Sequence, residues 1–171
     1  MDQEDDILRK IKGAKQEFYQ TNQKNILFKN KQKFECAASI MTNVNEEEVF
    51  KNTFQIENDN LIINYSIFKL IANPSNYEKL ANFVFKTTEQ ILDKHEIYNV
   101  RVFISGLTIS AVERYKEFVK LVSSMGLNND KGFLKRLDKV YIIDCPSFVD
   151  YVLKSIVPLI DNNLFHKFIL L

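Results

Sequence analysis

Apolar residues recur at helical spacing from the start of the chain. Ile7, Leu8, Ile11, the stem of Lys15, Phe18 and Tyr19 share one helix face, with polar residues opposite. Asp2, Glu4, Asp5 and Asp6 lie at its start, where the helix dipole favours negative charge. Residues 21–33 are polar and read as a connection. Phe34, Ala37, Ala38 and Met41 predict a second, short helix. Asn45 and Glu48 have capping-box spacing for a third, which reaches Val49 and Phe50.

The texture then changes. Residues 57–60 read as a turn and 61–65 as a strand. A helix over 76–93 follows Pro74, with Tyr77, Leu80, Ala81, Val84, Thr88, Ile91 and Leu92 on one face. Residues 100–104 form an apolar strand ending at Ser105-Gly106. Ser110 and Glu113 suggest a cap for the next helix, with Val112, Tyr115, Phe118, Val119 and Val122 inward and Gly126 as its C′ residue. Residues 139–144 give another strand, stopped by Pro146. Ser147 and Asp150 suggest a cap for a helix over 147–157, and residues 168–171 read as a last strand.

From residue 61 the order is strand, helix, strand, helix, strand, helix, strand. The strands are continuous apolar runs, which predicts a sheet covered on both faces. The expected class is α/β: a mostly parallel sheet with flanking helices and right-handed crossovers. Residues 1–52 form a helical preface to an α/β core over 53–171, together one domain.

Composition narrows the function classes. Of 171 residues 46% are apolar and 26% charged, with four glycines and three prolines, which excludes collagen-like and largely disordered chains. A net charge of +1 gives no global pull toward nucleic acid. Two cysteines make no disulfide framework, the first residues lack the basic and then apolar regions of a secretory signal, and no 18-residue apolar run occurs. The expected location is cytoplasmic, with transient contact at a membrane surface, and not secreted.

Signals for catalysis are weak. Phosphate-loop, dinucleotide and zinc-protease patterns are absent. His95 and His166 read as surface or helix-end residues. Cys145, between Asp144 and Pro146 at a strand end, is where open α/β sheets place ligands, and a helix N-terminus can acidify a thiol. Against that stands the ordinary burial of cysteine. Lys131, Lys135, Arg136 and Lys139 form a modest basic cluster, diluted by Asp130 and Asp138. The segment after Pro146 is apolar on more than one side, through Phe148, Val149, Tyr151, Val152, Leu153 and Ile156. Such a helix is buried, or it walls an apolar pocket.

Residues 134–171 resemble the CRAL-TRIO lipid-binding family. The carriers are Val140-Tyr141-Ile142-Ile143-Asp144-Cys145-Pro146, the apolar helix after it, Pro158-Leu159-Ile160-Asp161, and Lys167-Phe168-Ile169-Leu170. Upstream, Val102-Phe103-Ile104-Ser105-Gly106-Leu107 is similar to the family's strand ending, extending the likeness over 53–171. The resemblance implies a phospholipid or other lipid held between the sheet and a gate helix at 147–157, without covalent catalysis, catalytic residues, cofactor or metal. It implies a pocket of Val102, Ile104, Tyr141, Ile143, Phe148, Tyr151, Val152 and Ile156, with Lys167 and Arg136 toward an anionic headgroup. Lys135 stands where the family carries an acid, and Ser105 where it carries an aspartate. The family's further C-terminal helix is not matched. Relatives of the BCH type are protein-interaction or scaffold modules, so a protein partner or homodimer is the alternative.

Overall fold

The structure is a computed structural model and describes residues 3–156 and 162–171. Three helices come first: α1 (Gln3–Thr21), α2 (Lys29–Thr42) and α3 (Glu46–Thr53). Ile7 and Ile11 of α1 are fully buried, as the periodicity predicts. The Asn45 side chain accepts a hydrogen bond from the Glu48 amide at 2.9 Å, so the expected cap of α3 forms.

A hairpin follows, of β1 (Phe54–Glu57) and β2 (Asn60–Asn64), with Asn58 in the left-handed region at φ 56°. Next come α4 (Tyr65–Ile71), α5 (Tyr77–Leu92), β3 (Tyr98–Phe103), α6 (Ile109–Leu127), α7 (Phe133–Arg136), β4 (Leu137–Ile143) and α8 (Val149–Ile156). A short 3-10 helix (Asn162–Lys167) leads into β5 (Phe168–Leu170). β1, α4 and α7 add to the elements expected from sequence. The expected elements at 76–93, 100–104, 139–144, 147–157 and 168–171 all form, displaced by a few residues at their ends. Val157 and the Pro158-Leu159-Ile160-Asp161 segment lie outside the described residues.

Two details at α6 differ from the sequence reading. Its N-cap is Thr108, whose hydroxyl accepts from the Ala111 amide at 3.3 Å, and Ser110 lies inside the first turn. Gly126 lies within the helix rather than after it. A β-carbon there would come within 3.3 Å of Leu134 Cγ, so the close approach of α7, not chain reversal, calls for glycine.

The sheet order is β1-β2-β3-β4-β5, with β1 antiparallel to β2 and the other neighbours parallel. This is a mixed, mostly parallel sheet flanked by helices. Chain order equals sheet order, and right-handed crossovers then carry each intervening helix over the same face. Ile63, Val102 and Ile142 form one row across that face, and Leu61, Val100, Val140 and Phe168 the next. The rows of opposite parity are Ile62, Arg101, Tyr141 and Ile169, and Asn64, Phe103 and Ile143. Arg101 pairs with Glu57 at 3.7 Å on that side, and the cavity between sheet and helices takes its floor from the first two rows. The expectation of a sheet covered on both faces is therefore corrected: among the described residues the helices lie against one.

Aromatic rings bind the covered side together. Phe68 meets Tyr115 edge-on and Phe118 at a tilt, with centroids 5.1 and 4.9 Å away, and Tyr77 meets Phe118 at 5.4 Å. Burial pushes the Tyr65 phenol up to about 12 and also raises Tyr77, Tyr98 and Tyr115. An unfolded tyrosine ionises near about 10. Above that pH the unfolded chain gives up protons that the folded chain keeps, so raised folded pKa values make stability fall. Stability should hold up to about pH 9.5 and decline as pH climbs toward 12. Urea midpoints measured across that range check this, and a flat profile would mean that these phenols are solvated.

Candidate functional site: an apolar cavity on the covered face

Between the sheet and its helices lies a cavity of about 340 Å³. Its floor is the rows containing Val100, Val102, Val140 and Ile142, and α6 supplies most of the roof through Val112, Tyr115, Phe118, Val119 and Val122. α8 closes one side with Val149, Val152 and Leu153. Val100, Val102 and Ile142 keep partial exposure although they face inward, because they border empty space instead of atoms.

The lining is almost entirely carbon. Of its two aliphatic hydroxyls, Thr88 donates to the Val84 carbonyl at 2.9 Å. The other, Ser123 Oγ, is buried and has no hydrogen-bond partner among the described residues. An unsatisfied buried hydroxyl costs about 1–3 kcal/mol. Ser123→Ala should therefore raise the stability of the ligand-free protein by about 1 kcal/mol, read as a higher urea midpoint. An unchanged or lower midpoint would show that the hydroxyl has a partner in solution.

The structure divides the residues singled out from sequence. Val102, Ile104 and Val152 line the cavity. Tyr141 and Ile143 have the opposite parity on β4 and lie on the other face, so Val140 and Ile142 take the floor positions instead. Phe148 precedes α8 and is half-buried outside the lining, and Tyr151 is 49% exposed. Ile156 ends α8, and its side chain lies outside the described residues.

Arg136 and Lys167 are engaged elsewhere. The Arg136 guanidinium donates to the carbonyls of Glu96, His95 and Leu92, at 2.7, 2.9 and 3.3 Å, and so closes the end of α5. Lys167 Nζ donates to the Leu137 carbonyl at the start of β4. Neither side chain lines the cavity. Lys131 pairs with Glu89 at 2.7 Å, which offsets one charge of the basic cluster.

Asp144 takes a left-handed conformation, φ 59°, at the end of β4. This turns the chain so that the Cys145 thiol donates to the Ile142 carbonyl at 3.1 Å. The thiol is half-buried. No group of three or more histidine, cysteine or acidic residues arranged to hold a metal occurs among the described residues. No helix among them is long and apolar enough to cross a membrane.

Neither protein-family models nor curated protein sequences match this chain. The functional reading therefore rests on the cavity and its walls.

The helices of the roof carry signals that sequence periodicity did reveal. Val112, Tyr115, Phe118, Val119 and Val122 are the inward face of α6 predicted from spacing, and they are cavity wall rather than solid core. Leu134, from the single-turn α7, had no such signal, because four residues cannot display a helical period.

Proposed function

We propose that this chain binds a lipid or similar hydrophobic ligand, without catalysis, in a CRAL-TRIO-like fold whose α8 acts as the gate. The observation that carries this reading is the carbon-lined cavity between α6, α8 and the sheet. Enclosing a hydrocarbon chain there stabilises the complex by about 0.8 kcal/mol per methylene removed from water. The cavity volume of about 340 Å³ lies at the lower end of the range of about 300–1,000 Å³ for small-molecule pockets. It suits one acyl chain as it stands, and a two-chain phospholipid requires α8 to swing outward. That opening exposes Val149, Val152 and Leu153, so a membrane surface favours it.

Native mass spectrometry of the purified protein, with analysis of lipids released by solvent, tests this reading. The expected result is a stoichiometric apolar ligand, or uptake of a fluorescent fatty acid by delipidated protein. Lack of both would sink the proposal. A second reading, a protein-interaction module or homodimer, draws on the uncovered sheet face with Ile62, Phe103, Tyr141, Ile143 and Ile169. Sedimentation at rising concentration distinguishes the two, because a strict monomer argues against self-association.

A further inference from the structure

A second cavity, of about 250 Å³, lies where α1 and α2 meet α4 and the first turns of α6. Its character is opposite to that of the first. Four cations line it: Lys15 from α1, Lys33 from α2, Lys69 from α4 and Arg114 from α6. No carboxylate lines it. Among the described residues, none of the four lies within ion-pair distance of a carboxylate, although ten such pairs involve other residues.

Arg114 is the decisive group. It is 8% exposed, and its Nε donates to Asn30 Oδ1 at 3.0 Å. Its Nη2 is buried and has no hydrogen-bond partner among the described residues. Burying a guanidinium and leaving a donor unused is costly, more so than for a neutral group. The guanidinium also lies over the Tyr115 ring, 5.5 Å from its centroid, which orients the fork.

Lys69 Nζ sits 5.3 Å from the centroid of the Tyr65 ring. Gly106, at φ 71° in the turn after β3, lies beside that ammonium, and its left-handed backbone favours glycine. Burial lowers the Lys33 amine below its ordinary value, and Arg114, Lys29, Lys15 and Lys69 lower it further. Burial, then Lys15, does the same to Lys69. The like charges repel one another, and beside them stand ring faces and an amide oxygen rather than carboxylates. Thr108 and Ala111 place the start of α6 in the wall, and the positive end of that helix adds to the field.

We infer that this pocket binds a phosphoryl group, carried by a phosphorylated small molecule or by a lipid headgroup. Phosphate monoesters carry a charge of about −1.5 to −2 and three strong acceptor oxygens. That matches several converging cations better than a single carboxylate does. The site is formed by the helical preface with α4 and α6, away from Arg136 and Lys167. It does not depend on the apolar cavity holding a ligand, though Tyr65 and Ala111 border both.

The test compares three proteins: wild type, Lys15→Ala/Lys33→Ala, and the charge-matched control Lys12→Ala/Lys154→Ala. Both lysines of the test pair lie on helices that accept alanine, so the fold is retained, whereas Arg114 substitutions would disturb packing. Calorimetric titration with inorganic phosphate at constant ionic strength should show saturable binding to wild type and control. The test pair should bind about tenfold more weakly or worse. Co-sedimentation with phosphatidylcholine vesicles, with and without phosphatidic acid, identifies the source of the phosphate. Retention that needs phosphatidic acid and Lys15 and Lys33 points to a headgroup. Phosphate binding without vesicle retention points to a soluble phosphorylated ligand. The inference is overturned if neither probe binds, or if control and test pair weaken equally. Lipid-free protein serves in the phosphate arm, so failure there leaves the apolar cavity untouched.

Discussion

Val102→Trp should abolish uptake of a hydrocarbon ligand while leaving the protein folded. Val102 lies mid-strand in β3, between Ile63 and Ile142 in register, and faces the cavity. An indole there occupies space that an acyl chain needs. Excluding three or four methylenes forfeits about 3 kcal/mol, or about a hundredfold in affinity. Overfilling a packed core costs about 1–3 kcal/mol. Here the added atoms enter a void, so the loss of stability should stay below about 1 kcal/mol. Fluorescent fatty acid titration reads the affinity, and urea denaturation reads the fold. Tyr141→Trp, on the opposite face of the neighbouring strand, should change neither. Undiminished uptake by folded Val102→Trp protein would move the ligand out of this cavity.

The largest loss of stability is expected from Phe133→Ala. Phe133 opens the single-turn α7 and is fully buried. Its ring lies 5.0 Å from that of Phe85 on α5. A four-residue helix has no cooperative stability of its own, so Phe133, with the Arg136 hydrogen bonds to the end of α5, fixes the segment there. Phe-to-Ala changes at such sites cost about 3–5 kcal/mol. For a chain of this size, that lowers the melting temperature by about 10 °C. Phe165→Ala, at a ring that is 53% exposed, should shift it by less than about 2 °C. Equal effects of the two substitutions would mean that α7 is not anchored through Phe133. Leu134 and Gly126 meet beside it, so loosening α7 should also widen the cavity at that end.

Much of the element order was legible because long amphipathic segments carry several turns of signal. α1 and α5 followed from periodicity, and the α3 cap from Asn45 and Glu48. Other elements lacked that redundancy. Phe54-Gln55-Ile56-Glu57 alternates strictly, yet four residues sit too close to a turn signal to stand out as β1. α4 is apolar on several faces, so Tyr65 read as the continuation of β2. Thr108 and Ser110 are both capping residues two positions apart, and only the backbone geometry separates them.

The site was half legible for a related reason. Alternation along a strand pairs Val140 with Ile142 and Tyr141 with Ile143, but does not say which pair faces the helices. In β4 every one of these side chains is apolar or amphipathic, so hydrophobicity did not decide the parity. The same lack of contrast suggested a sheet covered on both faces. The basic pocket left no local trace, because Lys15, Lys33, Lys69 and Arg114 come from four separate helices and converge only in three dimensions.

Coincidence of sheet order with chain order has a kinetic consequence. Each strand after the first docks on the one immediately before it, and no pairing waits for a distant segment. Each parallel pairing closes a crossover of intermediate length, as between Ile63 and Val102 or Val102 and Ile142, which costs less entropy than joining the ends of the chain. The protein can therefore assemble in the direction of synthesis, with each finished strand serving as template for the next. β5 is added last and has three residues. In hydrogen exchange its amides should open before those of β3, which has a paired neighbour on both sides.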